Sequence, residues 1–357
     1  MGLRNWLGQK LEKRPAEAIE FIHRQPPRPN LGDHLCSPKH YYDFVAEPSA
    51  GTVAVIGGGA YTDFAVGVAR TSKHDHRVLW GVGRTLSTRN PSLDLAAIDR
   101  LFDLCSTRDP EWALNGIKLV PCASVFHPIC DVVPGARTGL FLNASPTTSG
   151  ERIDDLLRER AARQADLVVA TNAMPEPAFV RAFTETGCLV TNSYHVAYWG
   201  LLSGRAVTVI GYSSKFSSVL RLFEQDSNSV IQYRKGDGDA LAAAIDQALS
   251  EPPRVRLANP GATRSAFREI NDRFAADLVR TGLFQSITPR DPVVEPIRVK
   301  QPARASFKTW PTGATEKKYI WLLSRKYRLQ LGLEKRRKWR KLRKLRKRIK
   351  RKLFASS

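Results

Sequence analysis

Cys188-Leu-Val-Thr-Asn-Ser-Tyr-His-Val-Ala-Tyr-Trp-Gly-Leu-Leu202, followed after three residues by Ala206-Val-Thr-Val-Ile-Gly211, decides the fold class of this chain. The run 188–191 reads as a short buried strand, the apolar stretch from Tyr194 as a helix, and 206–211 as a second strand. A strand, a helix and a strand in so short a space make a βαβ unit, and its two strands lie parallel.

The same habit runs in both directions. Downstream, 206–211 leads into a helix over 216–223, and 229–233 into one over 239–249. Upstream, 138–143 precedes a polar helix over 151–164, and 166–171 precedes one over 175–185. Earlier still, short runs at 53–56, 77–80, 101–107 and 117–120 end in Gly57-Gly58-Gly59, Gly81-Val82-Gly83, Arg108-Asp109 and Pro121. No fixed-period repeat is present, which excludes solenoids and propellers. The expectation is an α/β fold with two Rossmann-like domains, 17–132 and 133–282, facing a cleft. The helical pattern 266–278 is placed to pack back across both.

Charge marks off the rest of the chain. Between 317 and 352 stand 19 Lys and Arg against one acid, Glu334, whereas the remaining residues hold 37 basic and 33 acidic side chains. The pI of about 10.1 therefore describes a tail rather than the body. Within that tail, 317–357, residues Trp339, Leu342, Leu345, Ile349 and Leu353 fall on one helical face among the cations. Such a helix suits an anionic membrane surface, with Trp339 at the headgroup level, and the apolar stripe ranks nucleic acid as the unlikely polyanion. A Pro-rich linker, 283–316, separates tail from body, and Leu3, Trp6, Leu7 and Leu11 give 1–16 a smaller amphipathic stripe.

Composition narrows the class further. With 42% hydrophobic and 25% charged residues the chain is globular in type, and its apolar runs fall short of a spanning helix. Five scattered cysteines and no signal-peptide pattern lead to the expectation of a cytoplasmic protein without a disulfide framework, peripheral on the inner face of the plasma membrane. The trios His34, Cys36, His40 and Cys122, His127, Cys130 lack paired Cys-x-x-Cys spacing, so no metal is expected. A dinucleotide fingerprint fails at its sixth position, which is Thr62 counted from Gly57 and Leu86 counted from Gly81.

In parallel sheets ligands sit beyond the carboxyl ends of the strands. The residues there are Asn30-Leu-Gly-Asp33, the Gly57 triplet, Arg108-Asp109, Asn192-Ser193-Tyr194-His195 and Tyr212-Ser-Ser-Lys215. Taken in this order, with Trp80-Gly-Val-Gly83 between, these segments resemble the polysaccharide pyruvyl transferase family over about residues 17–282. One departure stands out: Ser193 occupies the place of an Arg in the family's Ser/Thr-Arg-x-His. The resemblance implies a fold similar to the two-domain GT-B glycosyltransferases. It also implies transfer of the pyruvyl group of phosphoenolpyruvate, as a cyclic ketal, to a sugar of an exopolysaccharide or capsule precursor, lipid-linked or polymeric, with no further cofactor.

The residue types suit that chemistry. Phosphoenolpyruvate carries a phosphate and a carboxylate, for which Arg108 offers a planar fork and Lys215 a point charge beside main-chain donors at a helix start. Asn30, Gly58, Gly59 and Ser193 complete the expected substrate contacts. His195 is the expected proton carrier near neutral pH, with Asp33 as the complementary base. Each has a plainer role available. Asp33 suits the cap of a helix over 33–44, Arg108-Asp109-Pro110 a turn, His195 an ordinary helix start and Lys215 a solvated surface. Two other functions remain open from sequence: a glycosyltransferase using a nucleotide sugar, and a non-enzymatic nucleic-acid-binding protein acting through the tail.

Overall fold

The deciding stretch forms β9 (Thr186–Thr191), α4 (Tyr194–Leu202) and β10 (Ala206–Gly211), with β9 and β10 parallel and in register from Cys188 against Ala206. All nine residues of α4 are buried, and so is every residue of β10. A helix apolar on all sides belongs inside a protein, and a strand buried on both faces belongs inside a parallel sheet. The computed structural model describes residues 18–23, 29–59, 65, 69, 72–84, 100–114, 116–144, 150–251 and 254–294.

Around that unit stands a five-stranded parallel sheet in the order β11 (Ile231–Gln232), β10, β9, β7 (Arg137–Leu142), β8 (Leu167–Thr171). The chain winds one way from β7 to β8 and then reverses to β9, so the topological switch point lies between β7 and β9. Helices α2 (Ile153–Arg163), α3 (Glu176–Thr184), α5 (Ser214–Leu222) and α6 (Gly238–Ser250) alternate with these strands. A second parallel sheet runs β1 (Ile19–Ile22), β3 (Val53–Gly57), β4 (His76–Trp80), β5 (Leu104–Thr107), β6 (Lys118–Leu119). The fold is therefore mixed α/β built on two parallel sheets.

The long helix α7 (Pro260–Arg280) starts cleanly because Asn259 accepts from the Ala262 N–H at 3.0 Å and Pro260 needs no donor partner at the first position. It then packs across both sheets, a docking that its periodicity alone does not show. Phe267 stacks on Tyr198 of α4, whereas Phe274 meets Trp80 of β4 edge-on at 5.0 Å. Between them the buried Asn271 accepts from Trp80 Nε1 at 2.8 Å and donates to the Pro121 carbonyl.

Three readings need correction. The helix expected over 33–44 is only α1 (Leu31–Leu35): Pro38 opens a short 3-10 turn, and β2 (Tyr42–Ala46) follows. The helix cap is Asn30, whose side chain accepts from the Asp33 N–H, so Asp33 lies inside the first turn. The linker read as beginning at 283 opens with β12 (Phe284–Pro289), which pairs antiparallel with β2. That pairing spans about 240 residues and has no local signature. The amphipathic segments 1–16 and 317–357 lie outside the described residues, as does the linker beyond 294. Among the described residues, no helix is long and apolar enough to cross a membrane.

Candidate functional site

The carboxyl ends of the two sheets meet through a few buried side chains. Arg108 leaves β5 and His195 sits in the first turn of α4, and Arg108 Nη1 lies 3.1 Å from His195 Nε2. An arginine can only donate, so Nε2 is the acceptor and the ring proton resides on Nδ1. Gly32 of α1 lies against the same ring: a Cβ there would stand 2.2 Å from His195 Nδ1. Only glycine lets the helix of Asn30 and Asp33 approach this closely. Cys122 completes the surround, its Sγ 3.7 Å from Nε2.

Protonation of His195 is strongly disfavoured in this setting. Burial, then the adjacent Arg108 charge, then Lys215 push its pKa well below the ordinary histidine value. The expected proton carrier His195 thus sits where the neutral imidazole is favoured, with its Nε2 facing the Arg108 guanidinium. Arg108 is also placed differently from an open fork. Only 1% exposed, it stacks 3.5 Å above the Tyr194 ring centroid, and its Nε has no partner. Burial works against its charge, but Tyr194 and Asp109 hold its pKa above the ordinary value.

The remaining expected residues surround this contact. Asn30 caps α1 and donates from its amide to Asp33 Oδ2 at 3.0 Å. Gly58 and Gly59 both adopt positive φ, at 62° and 75°, as the turn after β3 requires. Gly58 also packs on α1, where an added Cβ would fall 1.8 Å from Cys36 Sγ. Ser193 precedes α4 and donates its N–H to Thr191 Oγ1. Lys215 stands apart on α5, donating to the Tyr212 hydroxyl at 3.0 Å, and it reaches His195 through its charge. The structure thus brings Arg108, His195, Gly32 and Cys122 into contact and sets Lys215 to one side.

Asp109 belongs to the site in a way the sequence does not announce. It is fully buried, its Oδ2 accepts from the Arg84 backbone N–H, and its Oδ1 has no partner. Burial pushes its pKa up to about 7, against the pull of Arg108 and the Arg84 N–H and with the help of Glu111. Here the Arg-Asp pair is a buried ionisable couple rather than a surface turn.

A second feature lies at the other sheet. Its five strands end at Asn143, Asn172, Asn192, Tyr212 and Tyr233, and these side chains form one hydrogen-bonded array. Asn192 Oδ1 accepts from the Asn143 N–H at 2.7 Å, bridging the switch point between β7 and β9. Asn172 donates to Asn143, Asn143 to Tyr212, and Asn192 to Tyr233. Tyr233 in turn donates to the buried Glu151, whose pKa is raised by burial. The available signal was a polar residue directly after every strand of the second half.

The metal trios dissolve into other contacts. His40 faces the carbonyls of His34 and Val293, His127 pairs with Glu176 at 3.0 Å, and Cys130 donates to the Ser124 carbonyl. Among the described residues, no group of three His, Cys, Asp or Glu is arranged to hold a metal.

No protein-family model matches the sequence, and no curated protein does. Among solved structures the chain is similar to a Listeria monocytogenes protein named as a UDP-N-acetylglucosamine 2-epimerase. That likeness has 12% identity and a TM-score of 0.30 over 58% of this chain and 77% of the other, and it carries no argument about activity.

Proposed function

We propose that this protein is an enzyme that moves the pyruvyl group of phosphoenolpyruvate onto two hydroxyls of a sugar as a cyclic ketal. The observation that carries the reading is the 3.1 Å contact of Arg108 with His195. It joins, across two sheets, two of the motif residues that the family resemblance singles out, although 87 positions separate them. A fixed cation in a water-poor site holds an anionic donor far more firmly than one in water. Lys215 and the N–H groups at the start of α5 supply a second anion site, and a phosphate and a carboxylate need two. The two sheets serve as the halves of a GT-B-like enzyme, with the acceptor between them. The acceptor is a lipid-linked or polymeric sugar, and the tail holds the enzyme on the anionic inner surface of the plasma membrane.

Ligand-dependent melting tests this directly. Phosphoenolpyruvate should raise the melting temperature of the full chain, and the rise should disappear in Arg108→Lys, because a point charge does not reproduce the planar fork. Stabilisation by nucleotide sugars and not by phosphoenolpyruvate would replace the reading with glycosyl transfer. For the tail, Leu342→Ser, Leu345→Ser and Ile349→Ser together keep every charge and remove the stripe, so binding to anionic vesicles should fall. Unchanged vesicle flotation would reduce the tail to an electrostatic patch.

A further inference from the structure

Hydrogen-bond direction can be followed through the amide and phenol array of the second sheet, because a main-chain N–H fixes one end of it. The Ala144 N–H donates to Asn172 Oδ1 at 2.9 Å. The Asn172 amide nitrogen therefore donates to Asn143 Oδ1, and the Asn143 amide nitrogen to the Tyr212 hydroxyl at 3.2 Å. Lys215, which can only donate, gives a second hydrogen bond to the same oxygen at 3.0 Å. The Tyr212 oxygen thus accepts twice, and its own O–H is left to donate. Among the described residues nothing accepts from it. Tyr233, in the same array, spends its proton on Glu151.

Positive charge gathers on the same ring. Lys215 Nζ lies 4.8 Å and Lys235 Nζ 5.1 Å from the Tyr212 ring centroid. Among the described residues neither lysine has an ion-pair partner. The buried carboxyl of Glu151 feels both charges, but its Oε1 is committed to the Tyr233 hydroxyl and the Gly236 N–H. Two ammonium ions and one O–H on a single phenol make a set of donors without an acceptor. Like charges repel, so a fold that collects them without a counter-ion gains from an anion that joins them. Access needs no enclosed cavity, since Lys235 is exposed and Tyr212 and Lys215 are half-buried.

We propose that Tyr212, Lys215 and Lys235 form a binding site for a phosphate group at the end of β10. A phosphate carries up to two negative charges, matched by the two ammonium ions, and its terminal oxygens accept from an O–H and from point-charge donors alike. A carboxylate is better met by a planar fork, which this cluster lacks. For the identity of the occupant the inference rests on the pyruvyl-transfer reading. The phosphate is then either the phosphoryl group of phosphoenolpyruvate or the phosphate that joins a lipid-linked sugar to its carrier.

The test uses the full chain with inorganic phosphate as the probe, followed by calorimetry. Replacing Lys235 leaves every hydrogen bond of the array in place. Lys235→Ala should weaken phosphate binding by about fivefold or more at low salt, and the difference from wild type should shrink as salt rises. Lys235→Arg, which keeps the charge, should bind as wild type does, and Tyr212→Phe should bind more weakly. Equal phosphate affinity in wild type and Lys235→Ala, or no binding by the wild type, overturns the site. Turnover then identifies the occupant. In Lys235→Ala a higher KM for phosphoenolpyruvate, with kcat little changed, marks the donor's phosphoryl group, and a higher KM for cell-derived lipid-linked oligosaccharide marks the lipid link; either supports the site. An unchanged KM for both substrates overturns the site and leaves the transfer reading standing. Lys235-dependent binding of inorganic phosphate, by a protein that neither binds phosphoenolpyruvate nor releases phosphate from it, supports the site and overturns the transfer reading.

Discussion

The carboxyl ends of the two parallel sheets are built from different chemistry. Beyond the sheet of β7 to β11, each strand ends in an amide or a phenol, and those side chains bond mainly to one another. Only Glu151 Oε2 is without a partner in that array. Beyond the sheet of β1 to β6, β3 and β4 end in glycines and β5 in the buried couple Arg108 and Asp109, whose Nε and Oδ1 are unfilled. An array that satisfies itself stabilises the fold and, apart from the Tyr212 hydroxyl at its rim, leaves little to offer a ligand. An edge with unfilled charge costs stability, and a protein keeps it where function requires it. On the proposed reading this contrast favours the first sheet for the chemistry, with α4 supplying His195 from the second.

Substitutions can break or sharpen that contrast. The largest effect is expected at the charged edge. Arg108→Lys should lower turnover by about a hundredfold or more, read as phosphate release. Turnover near wild type would remove the guanidinium from the site. At the neutral edge the expected loss is of stability. Asn192→Ala strands the Asn143 N–H and removes one bond to the Tyr233 hydroxyl, which still donates to Glu151, so it should cost about 1–3 kcal/mol, measured by denaturant unfolding. Affinity for phosphoenolpyruvate should hold within a few-fold, and a selective loss of affinity would show that Asn192 also meets the donor.

The pH dependence of stability follows from the same couple. The Asp109 carboxyl has a folded pKa of about 7, raised above its unfolded value near 3.8. The folded state therefore holds the proton more tightly, and stability falls as pH rises from about 4 to about 7. His195 works in the opposite sense at lower pH. Its folded pKa lies below 6.5, so its contribution is present above 6.5 and fades on acidification. Below 6.5 the two slopes oppose one another, so the Asp109 share is read as a difference: the unfolding midpoints of Asp109→Asn should rise with pH relative to those of the wild type. An identical slope in the variant would place the Asp109 pKa near its ordinary value. The smallest effect belongs to the surface. Arg273 and Glu269, two thirds exposed and 3.9 Å apart, should tolerate Glu269→Ala at a cost below about 0.5 kcal/mol.

Much of this architecture is legible in the sequence because it is local. The bounds of α4 and β10 coincide with the runs read from 194–202 and 206–211, where apolar periodicity and a following glycine agree. The helix over 33–44 fails because Pro38 breaks the pattern and Tyr42-Asp-Phe-Val-Ala46 alternates as a strand, whose partner lies at 284–289. Pairing at that separation leaves no trace in either segment alone. At the site, Arg108 and His195 are recognisable by type and order, but their contact is not, and contact sets the tautomer and the protonation of His195. Asp109 shows the same limit more sharply. An aspartate after arginine reads as a turn, and only complete burial beside Gly83 makes it an acid near neutral pH.

The measurement that bears most directly on the central claim is incubation of the full chain with carbon-labelled phosphoenolpyruvate and cell-derived lipid-linked oligosaccharide. Pyruvyl transfer predicts inorganic phosphate released in equal amount to label incorporated into the glycan, in an acid-labile ketal. Label that stays in phosphoenolpyruvate, with no phosphate released while a nucleotide sugar is consumed in its place, would contradict it.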